Sequence, residues 1–339
     1  MPGSLRSRGH RRRLAGALAA VVMMLSVGAC GLLNGTSASD SHSAPQGGLE
    51  KNPIRIGILA TVDNAPVRLA EKRGFFQQEG LGVEVKTYGS GPEALDAVRG
   101  GSLDICLINY VSFFQAAAGG AIDGRIVFDA YQGTPDSLVL VAKPEANIRE
   151  PKDLVGKKVS VHASGNINEL LLRELLRVNG LEPGAALYVP VKFPEIQAAL
   201  SSGQIHAGVL VEPYITRAGQ ELGAKPVLPL ITGPTADMAL SGYVAQTKFT
   251  QNNPKTVAAF QRAMKQANQL ADTDRRALAE VLPDLTKVSA ESVPSLSLGR
   301  FPTSLDPTRL QRVIELMRVH GTLAGKDLRA DQLIVPAAG

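Results

Sequence analysis

Tryptophan is absent from the 339 residues, cysteine occurs twice, and aromatic side chains make up only 4%. Without indole, no ligand of this chain can be held by stacking on tryptophan. Two cysteines, Cys30 and Cys106, are too few for a Cys-based metal site, and no histidine stands at metal-ligand spacing from a second ligand. No Gly-rich phosphate loop, no Ser-His-Asp order and no paired catalytic carboxylate stands out, which argues against an enzyme. The longest apolar run, Leu14 to Val27, is about fourteen residues and too short to span a bilayer. An excess of charge is lacking too, although the formal value is +5. Arg6, Arg8, Arg11, Arg12 and Arg13 precede Cys30 in a stretch with no acid, and setting those five aside leaves 31 basic residues against 31 acidic ones. Nucleic acid is therefore not an expected partner.

What remains is a chain that is 44% hydrophobic and long enough for two domains with cores of their own. The basic start and the short apolar run read as a signal peptide over residues 1–29. Val27-Gly28-Ala29-Cys30 resembles a bacterial lipobox, in which the cysteine becomes the lipidated first residue. Residues 30–52, rich in Ser, Gly, Asn, Thr and Ala, then read as a flexible tether. With Cys30 acylated, Cys106 is alone and no disulfide is expected; its place in an apolar strand marks it as a small core residue.

From Ile54 onward the pattern is strand, loop, helix, repeated. Ile54 to Ala60 has the length of a buried parallel strand, the loop Thr61 to Ala65 follows, and Pro66 opens a helix that stops near Gly80. Val83 to Tyr88 and Leu103 to Ile108 are the next strands, each ending in a loop and a helix. Arg125 to Ala130 and Ser137 to Ala142 follow as strands. Lys143 to Leu154 reads as the crossing into a second lobe, with strands at Lys157 to Val161, Leu187 to Val191 and Ala207 to Val211 and helices from Glu169, Pro194 and Pro213. Met238 to Gln246 is one more strand, and beyond Pro254 the pattern is helical. Such a tail has no sheet of its own and is expected to pack on the first lobe. The expected division is 53–141 with 237–336 as the first lobe and 142–236 as the second, inserted lobe, joined by hinges near 140 and 238. Ligands bind at the carboxyl edges of such sheets, and two lobes on two hinges can close around one.

Ala65-Pro66 through Leu69-Ala70-Glu71-Lys72-Arg73-Gly74-Phe75-Phe76, with Gly80-Leu81 and Val83-Glu84-Val85, resembles the opening signature of solute-binding proteins of ABC importers for sulfonates, taurine, nitrate and thiamine pyrimidine precursors. Ala94-Leu95 to Gly100-Gly101-Ser102-Leu103-Asp104 resembles their second signature, and Leu154 to Val159 and Val211-Glu212-Pro213-Tyr214 follow with that family's spacing. The resemblance covers about Ile54 to Gln332. It implies an α/β, two-lobed periplasmic-binding-protein-like fold of type II hinged by two crossing segments, an extracytoplasmic and membrane-anchored monomer, ABC permease partners, and no cofactor. Carried onto the loops of this chain, it implies ligand contacts from Asn64, Ala65, Ser90, Gly91, Asn109, Tyr110 and Tyr131 in the first lobe. In the second lobe it implies Ser164, Gly165, Asn166, Glu212 and Tyr214. Ser90 and Ser164, each beside a glycine at a helix start, are expected to face each other across the cleft. His162 stays open between ligand contact, helix capping and surface exposure.

The chain departs from the thiamine-precursor binders, which carry a tryptophan and a histidine in the first loop; here Asn64 takes the histidine's place. The candidate loops hold almost no Arg or Lys, which disfavours nitrate. A sulfonate or taurine-like solute is the first expectation, and a pyrimidine or other heterocycle, for which Glu212 can accept from an amine, is the alternative. A fungal pyrimidine synthase shares the resemblance but carries a cysteine cluster that this chain lacks. A ligand sensor on the same fold is the remaining rival.

Overall fold

A computed structural model of the chain describes residues 48–325 and 327–337. The expected signal peptide, Cys30 and most of the expected tether lie outside the described residues.

The first lobe begins with β1 (Ile54–Ile58), α1 (Ala65–Lys72), α2 (Phe75–Gln78), β2 (Val83–Thr87), α3 (Gly91–Arg99), β3 (Ile105–Asn109), α4 (Tyr110–Ala118) and β4 (Gly124–Gln132). The second holds β5 (Val139–Ala142), β6 (Lys158–Val161), α5 (Ile167–Val178), β7 (Leu187–Pro190), α6 (Ile196–Ser201), β8 (Ala207–Leu210), α7 (Tyr214–Leu222) and β9 (Lys225–Pro229). The chain then returns through β10 (Ala239–Gln246), α8 (Thr247–Asn252), α9 (Pro254–Thr273), α10 (Arg275–Ala279), α11 (Leu282–Thr286) and α12 (Pro307–Val319).

Two five-stranded sheets result, in the orders β2-β1-β3-β10-β4 and β7-β6-β8-β5-β9. Strands β1, β2 and β3 are parallel, as are β6, β7 and β8, because each is followed by a helical crossover. The strands entered from the other lobe run against them: β10 is antiparallel to β3 and β4, and β5 to β8 and β9. The chain therefore crosses between sheets at 133–138 and again at 230–238.

Two expectations need correction. Residues 139–142 belong to the second sheet, so the first crossing precedes β5; the apolar run Val139 to Ala142 looks the same in either sheet and its pairing alone decides. Strand β9 was not foreseen, because Pro226 and Pro229 argue against a strand; it is tolerated as an edge strand, where missing N–H groups cost no ladder bond.

The helical tail packs on the first lobe. Phe260 of α9 stacks on Phe76 with ring centroids 6.2 Å apart, and Asn268 donates to the carbonyls of Asp129 and Pro302. Arg300 pairs with Gln132 and Ile334 with Ile126 as single bridges to β4. Beneath β10, the buried Asp129 accepts from Tyr110 Oη at 2.7 Å and from Arg309 of α12 at 2.7 Å, pinning α12 to the sheet. Cys106 is buried in β3, and burial pushes its thiol well above the usual range.

The lobes also touch away from the crossings. Glu212 accepts from the Ser297 N–H at 3.2 Å, Arg217 donates to the Thr286 carbonyl, and His320 Nε2 lies 2.8 Å from Glu174 Oε2.

Candidate functional site

The loops at the carboxyl edges of both sheets converge on one cavity, with about 610 Å³ of empty space counting its open mouth. Thr61 and Asp63 reach it from the loop after β1, Gly91 from the start of α3, Asn109 from the end of β3, Tyr131 from β4 and Ser241 from β10. From the second lobe come His162 after β6, Asn166 and Asn168 at the start of α5, and Phe193 after β7. Leucine, isoleucine and valine side chains fill the rest of the wall, and no Lys or Arg is among the lining residues.

The polar groups of the wall are held by one another. Asp63 accepts from Thr61 Oγ1 at 2.5 Å, Ser241 Oγ at 2.8 Å and Asn64 Nδ2 at 3.1 Å, so one carboxylate ties the first loop to β10. Burial pushes that carboxyl above its ordinary range, against the pull of the three donors. Asn109 caps α4, accepting from the Ser112 N–H at 2.9 Å and donating to its hydroxyl at 3.0 Å. Asn166 caps α5 by accepting from the Glu169 N–H, and it donates to Asn168 Oδ1, whose own amide donates to the Val209 carbonyl. Tyr131 Oη accepts from the Gly299 N–H.

His162 is the exception. It is 8% exposed, and neither ring nitrogen has a hydrogen-bond partner among the described residues. Its ring stacks on Phe193 at 4.1 Å with 12° between the planes, and Phe193 stacks in turn on Tyr214 at 5.1 Å. Burial, with the nearby charge of Lys192, pushes the imidazole down to about 4, so at neutral pH it is uncharged. A proton that the unfolded chain accepts near pH 6.5 is thus refused by the folded one until about pH 4. Relative to its value above pH 6.5, the stability of the fold therefore drops as pH falls through that window. At about 1.4 kcal/mol per unit the loss amounts to roughly 3 kcal/mol. Urea titrations of the wild type and His162→Gln across pH 4–7 should show the wild type gaining on the variant as pH rises; parallel curves would contradict the assigned burial.

Of the twelve positions inferred for the ligand, Gly91, Asn109, Tyr131 and Asn166 line the cavity. The other eight do not. Asn64 and Ala65 are fully buried behind Asp63, Asn64 donating to Thr61 and Asp63. Ser90 caps α3 by accepting from the Glu93 N–H and leaves the wall to Gly91. Tyr110 turns into the core toward Asp129 because Asn109 holds the cavity side of that strand end. In the loop 162–166, His162 and Asn166 turn inward and Ser164 outward, where it is exposed. Gly165 donates its N–H to Glu169 and lies against the Gln115 side chain of α4. Glu212 is buried with its carboxylate taken by Thr216 and Ser297, and its backbone carbonyl accepts from the Val62 N–H. Tyr214 lies behind Phe193. Neither serine of the expected facing pair lines the cavity. Ser164→Leu should leave the affinity for a solute unchanged, and Ser90→Ala should cost only about 1 kcal/mol of stability as a lost cap; calorimetry and thermal melts check both.

Thr61, Asp63, Asn168 and Ser241 were missed. Their signal in sequence is faint, since an acid in a polar loop and a serine early in a strand are ordinary.

The same two-lobed architecture recurs in solved structures. The alkanesulfonate-binding protein SsuA from Xanthomonas axonopodis pv. citri, bound to MOPS, superposes with a TM-score of 0.72 at 18% identity, covering 85% of this chain and 99% of that one. The periplasmic nitrate-binding protein NrtA from Synechocystis PCC 6803 gives 0.69 at 16% identity, covering 85% and 87%. In sequence, YtlA of Bacillus subtilis is 24% identical over 268 residues, which are 77% of this chain and 80% of that protein. These likenesses establish the periplasmic-binding-protein fold with its two hinged lobes. The family model described as NMT1/THI5 like matches residues 61–274, well over half of the sequence, and the chain belongs to the NMT1/THI5-like family.

Proposed function

We propose that this protein is an extracytoplasmic solute-binding protein that captures a small organic solute in the interlobe cavity and delivers it to the permease of an ABC importer. The observation that carries this reading is the cavity itself: apolar walls, a few fixed polar groups, and contributions from both lobes on two crossing segments. SsuA and NrtA, an alkanesulfonate-binding and a nitrate-binding protein, point the same way. A bare inorganic anion fits least, since no Lys or Arg lines the cavity. A sulfonate would rely on the helix starts at Gly91 and Asn166, whereas a heterocycle would lie beside the Phe193 and His162 rings. A thermal-shift panel of sulfonates, amino sulfonates and uncharged heterocycles tests the reading. A rise in melting temperature that saturates with one class supports it, and no saturable shift with any class would overturn it.

The reading includes a lipid anchor at Cys30, a monomeric body on the outer face of the cytoplasmic membrane, and transfer to permease subunits rather than to a sensor kinase. Acyl chains contribute about 0.8 kcal/mol per buried CH₂. Cys30→Ser should therefore move the protein from the membrane fraction to the soluble one; retention with unchanged mobility would contradict the anchor.

A further inference from the structure

We propose, resting on the reading of the cavity as a solute site, that His162 is its specificity-determining residue and that the end of the solute buried against it is an uncharged hydrogen-bonding group rather than an anion.

The argument is one of elimination within the wall. Asp63, Ser241, Thr61, Asn109, Asn166, Asn168 and Tyr131 each already have protein partners. Among the cavity-lining side chains only His162 has buried polar atoms without one. Leaving two ring nitrogens unpaired away from water is costly, so a site that keeps them needs a partner from outside the chain. The π-stack through Phe193 to Tyr214 fixes the plane of the imidazole and leaves its edge to make hydrogen bonds. A neutral imidazole offers one N–H and one lone pair, which matches a group that can accept or donate, such as a hydroxyl, an amide or a sulfonamide. An anion finds no Lys or Arg in the wall, Lys192 acting on the His162 end only from behind it, and the one charged group of the lining is the Asp63 carboxylate across the cavity. Burying an unpaired charge there is disfavoured far more than burying a neutral dipole.

Benzenesulfonamide and benzenesulfonate are nearly isosteric and differ in charge, which makes them a direct pair of probes. NMR-monitored titration of the full chain should find the sulfonamide bound at least about tenfold more tightly, about 1.4 kcal/mol. His162→Phe, which keeps the stack and removes both nitrogens, should abolish that preference while melting about 2 °C or more above the wild type, because an unpaired polar group is gone. His162→Gln, which restores a donor and an acceptor, should recover part of the preference. Equal or tighter binding of the sulfonate, or an unchanged sulfonamide affinity in a folded His162→Phe, would overturn the assignment of His162 and leave the cavity as the solute site. Saturable binding of neither probe would count against the reading of the cavity, and this inference would fall with it. A lower melting temperature for His162→Phe would also overturn it, since it would mean that the imidazole stabilises the fold.

Discussion

Asp63→Ala should weaken solute binding by tenfold or more and lower the stability of the protein by about 3 kcal/mol. One carboxylate gathers three donors, from Thr61, Asn64 and Ser241, and two of these side chains face the cavity. Removing it leaves the Thr61 and Ser241 hydroxyls without their acceptor, at about 1–3 kcal/mol each, while Asn64 keeps Thr61 Oγ1. Thr61 and Ser241 can turn toward cavity water, which keeps the sum at the lower end. The loss of binding follows from geometry, since Asp63 is the link that holds the loop after β1 against β10 and so fixes one wall. Asp63→Asn keeps the shape but presents an amide N–H₂ where only acceptors fit, and should recover less than half of the loss. Urea denaturation and calorimetric titration with the solute that raises the melting temperature read the two effects separately. Full affinity in a stable Asp63→Ala would show that the wall is set elsewhere.

Asp129→Ala should have the larger effect on stability, about 3–5 kcal/mol, with little change in affinity at temperatures where the variant is folded. It removes the acceptor of Tyr110 Oη and the buried counter-charge of the Arg309 guanidinium, which keeps Gln132 Oε1, the Ser304 carbonyl and the more exposed Asp306, 4.0 Å away. Tyr110→Phe removes only one of the two bonds and should cost about 1 kcal/mol. Burial pushes the Asp129 carboxyl up to about 6 in spite of Arg309. The folded state therefore holds this proton more tightly than the unfolded chain, whose carboxyl titrates near 3.8. Stability from the group is greatest below that value and declines as pH rises through about 6. This trend opposes that of His162 over the same range, which is why the histidine is tested by difference against its own variant. Chemical denaturation at pH 7 decides the magnitude; a loss under 1 kcal/mol for Asp129→Ala would mean that Gln132, Ser304 and Asp306 suffice to hold Arg309.

Much of the architecture is legible from apolar spacing. Ile54 to Ile58, Val83 to Thr87 and Ile105 to Asn109 alternate with polar loops and helix starts at the period of a wound sheet, and the helical stretch after Pro254 can bury its apolar face only on an existing sheet. Pairing is less legible. Val139 to Ala142 is apolar on both faces, so nothing in its pattern says which sheet takes it. Lys225 to Pro229 hides its strand behind two prolines that an edge position tolerates.

The site was legible as a set of loops and not as a set of side chains. Loop membership follows from strand ends, but which residue faces inward depends on one or two backbone dihedrals. Asp63 takes the wall and Asn64 the core, although they are adjacent. Gly91 takes the wall and Ser90 the cap, and His162 and Asn166 turn inward while Ser164 between them turns out. Glu212, attractive as a free carboxylate after a strand, is spent on Thr216 and Ser297. Ser241 comes from a strand that returns through the second crossing, a neighbour of Asp63 that no local pattern announces.

The most direct test of the account is a crystal structure of the full chain with the solute that raises its melting temperature most. The account predicts density for that solute between the lobes, within hydrogen-bond distance of His162 and against the ring of Phe193, with Thr61, Asp63 and Ser241 forming the opposite wall. Density at another surface, with this cavity empty at saturating solute, would contradict it.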